Sequence, residues 1–106
     1  MSNVVLIVDM LRGFLESGYP LGNPALKRIV PFIQQLIERE LAQGSKVIFI
    51  ADTHDPDDLE FKMFPPHCIR GTSETEVIPE LARYAKEVIP KRRYSAFFGT
   101  SLEQRI

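Results

Sequence analysis

Three ionisable residues stand where apolar runs of the sequence end. Asp9 and Asp52 each follow a run of aliphatic and β-branched residues, and Lys91 follows a shorter one. Ligands of open parallel sheets bind beyond the carboxyl ends of the strands, so the three side chains are expected to converge on one rim. A lysine beside an aspartate in a partly buried cleft can hold a negative charge or lower the pKa of a neighbouring acid or thiol. The alternative for each aspartate taken alone is a turn or helix-cap residue.

A second group of candidate residues lies in the loop after Asp52. It contains both histidines of the chain, His54 and His67, together with Glu60. Imidazole nitrogen and carboxylate oxygen suit a borderline divalent ion such as zinc, manganese or ferrous iron. In the Asp-x-His triplet, an extended backbone would direct both side chains to the same face. The alternative is that these are ordinary loop histidines. The other acidic residues of the loop are assigned to a solvated turn: Asp55, Asp57 and Asp58.

The first half of the chain predicts a strand, a helix and a second strand. Residues 4–8 have the continuous apolar pattern of a strand buried on both faces of a parallel sheet. Apolar residues then recur at helical spacing over 26–41, with Asn23 as the N-cap and Gly44 just beyond the helix. Residues 46–51 form a second buried strand. This order predicts a right-handed βαβ unit.

The second half of the chain has weaker patterns. Residues 53–73 are polar and rich in proline, too long for an ordinary connection, and therefore expected to be functional. Residues 75–85 predict a helix, 88–89 a short strand that reaches Lys91, and 95–106 a loop that becomes a helix at Thr100 or Ser101. The predicted fold class is α/β, a three-layer parallel sheet flanked by helices, of which only the first βαβαβ portion is present. One sheet edge should need further strands.

The composition indicates one small globular unit. The chain has 106 residues, 44% hydrophobic and 25% charged, with a formal net charge of −1. Its 13 basic and 14 acidic residues form no basic stripe, which argues against nucleic acid as a partner. No apolar run approaches the roughly 20 residues that span a bilayer. Because Met1 leads almost directly into an apolar strand without a leader pattern, we expect a cytoplasmic protein.

Three segments of the sequence resemble a known family. They are VDMLRGF with Asp9 and Phe14, ADTHDPDDLEFKMFPPHCIRGT, and PKRRYSAFFGTSL. Together they resemble the nicotinamidase branch of the isochorismatase-like cysteine hydrolases in order and separation, over essentially the whole chain. The middle segment is the most specific, because it combines Asp-x-His, a glutamate and Pro-His-Cys.

The resemblance implies a role for each candidate residue. It makes Asp9 the catalytic carboxylate and Lys91 the catalytic lysine, and it makes Phe14 and Phe64 the aromatic walls of the substrate pocket. It implies a divalent transition metal, zinc or else iron or manganese, held by four ligands: Asp52, His54, Glu60 and His67.

The third catalytic residue of the family is a cysteine that begins a helix. The resemblance places that cysteine beyond residue 106, so residues 1–106 are expected to be the N-terminal portion of a single hydrolase domain. The one cysteine of the chain, Cys68, belongs to the Pro-His-Cys motif and is assigned to the loop or core.

The implied activity is that of a nicotinamidase. Such an enzyme converts nicotinamide, or a pyrazinamide-like amide, to the acid and ammonia in NAD salvage. The alternatives are a related hydrolase of another substrate and a non-catalytic, metal-binding half of a split protein. The expected partners are a small-molecule amide and either further copies of the chain in a homo-oligomer or a complementing C-terminal segment.

Overall fold

The computed structural model describes residues 3–92 and 99–105. Its strands are β1 (Val4–Val8), β2 (Lys46–Asp52) and β3 (Val88–Lys91). Its α-helices are α1 (Arg12–Leu15), α2 (Val30–Ala42) and α3 (Leu102–Arg105). Short 3₁₀ turns cover Pro24–Ile29, Leu59–Lys62, Ser73–Thr75 and Ala82–Tyr84. Within these described residues no helix has the length and apolar character needed to cross a membrane.

The three strands form a parallel sheet in the order β1-β2-β3. Val8 pairs with Ile50 across the first interface, and Asp52 pairs with Lys91 across the second. The ladder extends one residue past β1, because the Asp9 amide donates to the Ile50 carbonyl at 2.9 Å. The carboxyl ends of all three strands therefore meet at one edge, which confirms the predicted parallel sheet.

Helices cover both faces of the sheet. On one face, Ile7 and Phe49 join a core cluster with Val30 and Ile37 of α2. On the other face, Leu102 of α3 packs with a separate group of strand residues: Ile48, Ile50 and Ile89. Alternate residues of β2 thus enter two different cores, as the alternation of side chains along a strand requires. The three-layer arrangement expected from the sequence is confirmed.

Strand β1 differs from its prediction. Its apolar run predicts a strand buried on both faces, but Val4, Leu6 and Val8 are 38%, 36% and 47% exposed. The reason is its place at the sheet edge, where no described residue covers that face. Among the described strands, the central strand β2 is the one buried on both sides.

The first predicted helix is divided in two. Asn23 caps its start as predicted, because its side-chain oxygen accepts from the Ala25 amide at 3.1 Å. The next turn is 3₁₀ rather than α-helical, and the α-helix begins only at Val30. Pro31 explains the division, since proline has no N–H to donate and disfavours helical backbone at the preceding residue. Gly44, at φ +84°, ends the helix as predicted.

The helix predicted over 75–85 is wrong. Val77 instead pairs in an antiparallel bridge with Leu11, and the Ile78 amide donates to the Met10 carbonyl at 3.1 Å. Pro79 follows directly, and a proline inside a helix would remove one hydrogen bond and clash with the preceding turn. Two short 3₁₀ turns flank this extended stretch. The predicted C-terminal helix is present as α3, whereas 95–98 of the predicted loop lie outside the described residues.

Candidate active site and metal centre

Asp9, Asp52 and Lys91 meet at the carboxyl edge of the sheet, as predicted. The Lys91 ammonium lies 3.2 Å from Asp9 Oδ2 and 3.7 Å from Asp52 Oδ1, and its side chain is only 4% exposed. The other oxygen of Asp9, Oδ1, accepts from the Asp52 backbone amide at 3.0 Å. A buried cation is therefore balanced by two carboxylates that neighbouring strands hold in place.

Asp9 lies where the chain leaves β1, with a left-handed backbone at φ +59°. Aspartate tolerates this conformation better than most residues with a side chain. Burial raises the pKa of the Asp9 carboxyl, and the charge and hydrogen bond of Lys91 lower it by less. A carboxylate whose pKa is raised accepts a proton more readily than an ordinary aspartate, which suits a general base.

The predicted metal ligands also lie together. Asp52 Oδ2 is 3.0 Å from His54 Nε2 and 3.5 Å from His67 Nε2, while Glu60 Oε2 is 2.9 Å from His54 Nε2. The loop places His67 here because the His54 amide donates to the Cys68 carbonyl at 2.8 Å. The two imidazole rings consequently stack edge to face, with centroids 4.9 Å apart.

These side chains fit a divalent transition metal. Glu60 Oε2 is buried and receives no hydrogen bond, although it lies close to His54 Nε2. His67 Nδ1 is 2.8 Å from the Pro65 carbonyl, which can only accept, so the proton is on Nδ1 and Nε2 offers a lone pair. Asp52, His54 and His67 offer ligand atoms within 4.8 Å of one another, and Glu60 adjoins them through His54. Carboxylate oxygens and imidazole nitrogens are the ligand set of a borderline cation.

The electrostatics around His54 favour positive charge. Burial lowers the pKa of His54, but the hydrogen bond to Asp58 and the charges of Asp52 and Glu60 outweigh burial, so the net pKa is raised. Surroundings that stabilise a protonated imidazole would also stabilise a bound cation.

Asp58 is not part of a solvated turn, and that prediction is wrong. Its side chain is 6% exposed, and its Oδ2 lies 3.0 Å from His54 Nδ1. The sequence alone gave no signal for this, because three aspartates in a short polar segment look alike. The other two fit the prediction better, since Asp57 is exposed and Asp55 forms a surface ion pair with Arg70.

A cavity of about 260 Å³ joins the two groups of residues. Its polar and charged walls are Asp9, Asp52, Glu60, His67 and Lys91. Phe14 and Phe64 line the same cavity, as the resemblance implies for a substrate pocket, and the Phe14 ring centroid is 6.1 Å from that of His67. Leu21 also lines it and was not predicted, because a single leucine in a loop carries no pattern. The cavity thus has an apolar side facing a charged side.

Cys68 is unsuited to nucleophilic attack. Its side chain is fully buried, its Sγ is 3.7 Å from the Glu74 carbonyl oxygen, and it does not line the cavity. Burial raises the pKa of the Cys68 thiol far above its ordinary value, and the charges of Asp52 and Glu74 raise it further. A reactive cysteine needs the opposite surroundings, positive and accessible. The assignment of Cys68 to the core agrees with this geometry.

Comparisons with known proteins agree on one family. Residues 3–106 match the isochorismatase domain. The chain is 30% identical to an uncharacterized isochorismatase family protein of Bacillus subtilis, PncA, over 100% of this chain and 64% of that protein.

Solved structures show the same relationship. A pyrazinamidase/nicotinamidase from Streptococcus mutans superposes with a TM-score of 0.83 at 34% identity, over 98% of this chain and 64% of that one. The pyrazinamidase of Pyrococcus horikoshii in complex with zinc gives a TM-score of 0.83 at 26% identity, over 99% and 63%. The chain therefore spans less than two thirds of the length of each of these relatives. It belongs to the isochorismatase domain family.

Proposed function

We propose that this chain carries the acid–base and metal-binding residues of an amide hydrolase acting on nicotinamide or a pyrazinamide-like amide. One observation carries the proposal: the Lys91–Asp9 pair and the histidine–carboxylate group line one cavity and share the Asp52 carboxylate. The products would be a pyridine or pyrazine carboxylic acid and ammonia. With nicotinamide as substrate, the reaction would belong to NAD salvage in the cytoplasm.

The acid–base chemistry falls to Asp9 and Lys91. Asp9 takes the proton of a cysteine thiol, and the thiolate attacks the carboxamide carbon to form a tetrahedral adduct. When the carbon–nitrogen bond breaks, ammonia leaves with the proton returned by Asp9. Water then hydrolyses the thioester, releasing the acid and restoring the thiol. Lys91 stabilises the ionised Asp9 and the thiolate throughout.

Cys68 is unsuited to supply the nucleophilic thiol of this mechanism. We propose that residues 1–106 are the N-terminal portion of a hydrolase domain and that a segment outside them supplies the nucleophilic cysteine. The relatives described above are longer than the region they share with this chain, which supports this division.

The metal and the aromatic walls would orient the substrate. The residues that would hold the ion are Asp52, His54, Glu60 and His67. When bound, the metal supplies a Lewis-acidic point that the ring nitrogen of the substrate can occupy. Phe14 and Phe64 pack against the faces of the ring, so that its carboxamide is directed toward Asp9 and Lys91.

Metal analysis of protein purified without a histidine tag tests the site. We expect about one zinc, iron or manganese ion per chain, lost when His54→Ala and His67→Ala are combined. Asp57→Ala is the matched control, because it removes an exposed acid from the same loop. Unchanged metal content in the double variant would show that the ion, if present, is bound elsewhere.

Ammonia release from nicotinamide tests the catalytic assignment. The 106-residue chain should give a rate near background, because loss of a nucleophile costs many orders of magnitude. Turnover that disappears in Cys68→Ala would show that Cys68 is the nucleophile and would overturn the mechanism above.

A second candidate function is a metal-binding module without catalysis. The burial of Cys68, the single cysteine of the chain, favours it. Joining the chain to the C-terminal part of a relative distinguishes the two. Amide hydrolysis that depends on Asp9 and Lys91 supports the enzyme, and metal binding without hydrolysis supports the module.

A further inference from the structure

We infer that Asp58 is a positioning residue of the metal site, which holds two of the proposed ligands in their binding geometry. That Asp58 serves a metal site rests on the proposed function, whereas its contacts with His54 and Glu60 do not. Asp58 has two carboxylate oxygens, and each one serves a different ligand.

The first oxygen holds a proton on His54 Nδ1. Asp58 Oδ2 lies 3.0 Å from His54 Nδ1, and both side chains are buried, at 6% and 1% exposure. A carboxylate oxygen accepts, so Nδ1 carries the donated proton, and Nε2 is the ring nitrogen left for a metal. Nε2 is the atom that faces Asp52 Oδ2 and Glu60 Oε2. Asp58 thereby directs the metal-binding nitrogen of His54 to the other ligands.

The second oxygen sets the backbone that carries Glu60. Asp58 Oδ1 accepts from the Glu60 amide at 2.9 Å and caps the 3₁₀ turn Leu59–Lys62. Glu60 is the second residue of that turn, so its side chain leaves the backbone from a position that this hydrogen bond fixes. The buried Oε2 of Glu60, which has no donor, points into the same cluster.

The two proposed histidine ligands differ in what orients them. His67 Nδ1 is held by the Pro65 backbone carbonyl, which a side-chain substitution does not remove. His54 Nδ1 is held by the side chain of Asp58, so the proton on this nitrogen depends on the residue at position 58. Outer partners of ligating histidines typically contribute 10–100-fold to metal affinity.

Asp58→Asn separates the two roles with little change of shape. If the amide oxygen keeps the bond to the Glu60 backbone, the amide NH₂ donates to His54 Nδ1, so the remaining ring proton is held on Nε2, where it competes with the metal. We expect the zinc affinity of the full chain, measured by competition with a chromophoric chelator, to fall about 10–100-fold. Asp57→Asn is the control, because it makes the same charge change on an exposed neighbour, and its zinc affinity should stay within about twofold of wild type by the same reasoning.

Long-range proton–nitrogen NMR correlations show directly which ring nitrogens carry a proton. On the metal-free chain, His54 Nδ1 should carry a proton in the wild type and in Asp57→Asn, and none in Asp58→Asn. His67 should remain protonated at Nδ1 in all three proteins. A merely structural role of Asp58 would not remove the proton from His54 Nδ1.

The outcomes distinguish the inference from the proposed function. Equal zinc affinity of Asp58→Asn and wild type, an equal loss in Asp57→Asn, or a proton that persists on His54 Nδ1 in Asp58→Asn would overturn the positioning role. If the wild-type chain binds no zinc, the proposed metal site fails, and the NMR spectra alone decide whether Asp58 orients His54. If Asp58→Asn does not fold, Asp58→Ser replaces it, since serine can cap the turn but is too short to hold Nδ1.

Discussion

Asp52 is the residue at which the two halves of the site meet. Its Oδ1 faces Lys91, and its Oδ2 faces His54 and His67. The effects on stability of substituting Lys91 and His54 should therefore not be additive, because both residues contact Asp52. One strand end thus serves both a buried ion pair and a predicted metal centre.

Lys91→Met tests the ion pair. The variant leaves two carboxylates, Asp9 and Asp52, without the cation between them. Breaking a buried pair costs about 3–5 kcal/mol, and partial exposure of Asp9 places this case near or below the lower end, at about 2–3 kcal/mol. Urea denaturation measures the loss. Lys86→Met, at an exposed lysine, should change stability by less than about 0.5 kcal/mol, and an equally small effect at Lys91 would contradict the burial of the pair.

Thiol reactivity tests the surroundings of Cys68. Because burial raises the pKa of the thiol, the folded chain should react with a disulfide reagent at pH 8 at least about 100-fold more slowly than the chain in urea. Rapid reaction of the folded chain would show an accessible thiolate, and Cys68→Ala is the blank.

The same pKa shift predicts a pH dependence of stability. A group whose pKa is raised by folding stabilises the fold below its unfolded pKa, 9.0 for this thiol, and that contribution is lost as the pH rises. The stability advantage of wild type over Cys68→Ala should therefore shrink above about pH 9. An advantage that stays constant to pH 10.5 would contradict the raised pKa.

The positions of site residues could be predicted from the sequence where a regular strand pattern relates one residue to the next. The alternation of side chains along a strand is enough to place Asp52 and His54 on one face, and the common polarity of parallel strands is enough to bring Lys91 to the same edge. Asp58 and Leu21 could not be found in this way. Their positions depend on how the long loop folds back on itself, which no local pattern encodes.

Helix α1 lies close to the Ser73–Thr75 turn, beside the loop segment that carries His67 and Cys68. Gly13 permits it, because an added Cβ would lie 2.9 Å from Glu74 Cβ and 3.1 Å from Cys68 Sγ. Glu74 in turn accepts from the Cys68 backbone amide at 2.8 Å, beside His67. Gly13 thus packs against the segment that carries Cys68, the neighbour of His67.

Gly13→Ala should destabilise the chain despite the higher helix propensity of alanine. The overlap with Glu74 should cost about 1–3 kcal/mol, as overpacking of an interior does. Gly44→Ala is the comparison, because it meets no atom and adds only the cost of a left-handed backbone, about 1–2 kcal/mol. Denaturation of both variants measures the difference, and a Gly13→Ala variant as stable as wild type would show that the turn can move away.

The strands and α2 were predictable because their apolar patterns are long and their ends carry clear signals. The segment over 75–85 was not, because its apolar spacing fits a helix as well as it fits the extended stretch that pairs with Leu11. Pro79 was the available counter-signal. A tertiary contact across more than sixty residues outweighed the local pattern, as the Leu11–Val77 bridge shows.

The uncovered apolar face of β1 is the feature of the described chain most prone to cause aggregation. Val4, Leu6 and Val8 are exposed side by side at the end of the sheet, and β1 has a paired neighbour on one edge only among the described strands. Exposed apolar strands at a sheet edge favour association with another chain or segment. A homo-oligomer or a complementing segment would bury this face.

The purified 106-residue chain should therefore self-associate as its concentration rises. Sedimentation velocity and light scattering measure the mass. Leu6→Lys should reduce association, because a charge on an edge strand opposes pairing, while Lys62→Glu, at an exposed residue away from β1, should leave it unchanged. A monomer with a cooperative transition of ordinary stability would contradict the expectation.

The strand order β1-β2-β3 equals the order of the strands along the chain. Each strand therefore adds to an edge that an earlier one has already formed, and the sheet can grow in the direction in which a ribosome synthesises the chain. Asp9 and Asp52 come together when β2 pairs with β1, a pairing that does not require β3. Until β3 pairs, the site would hold two facing carboxylates without their cation, so β3 supplies the charge balance of this edge of the sheet.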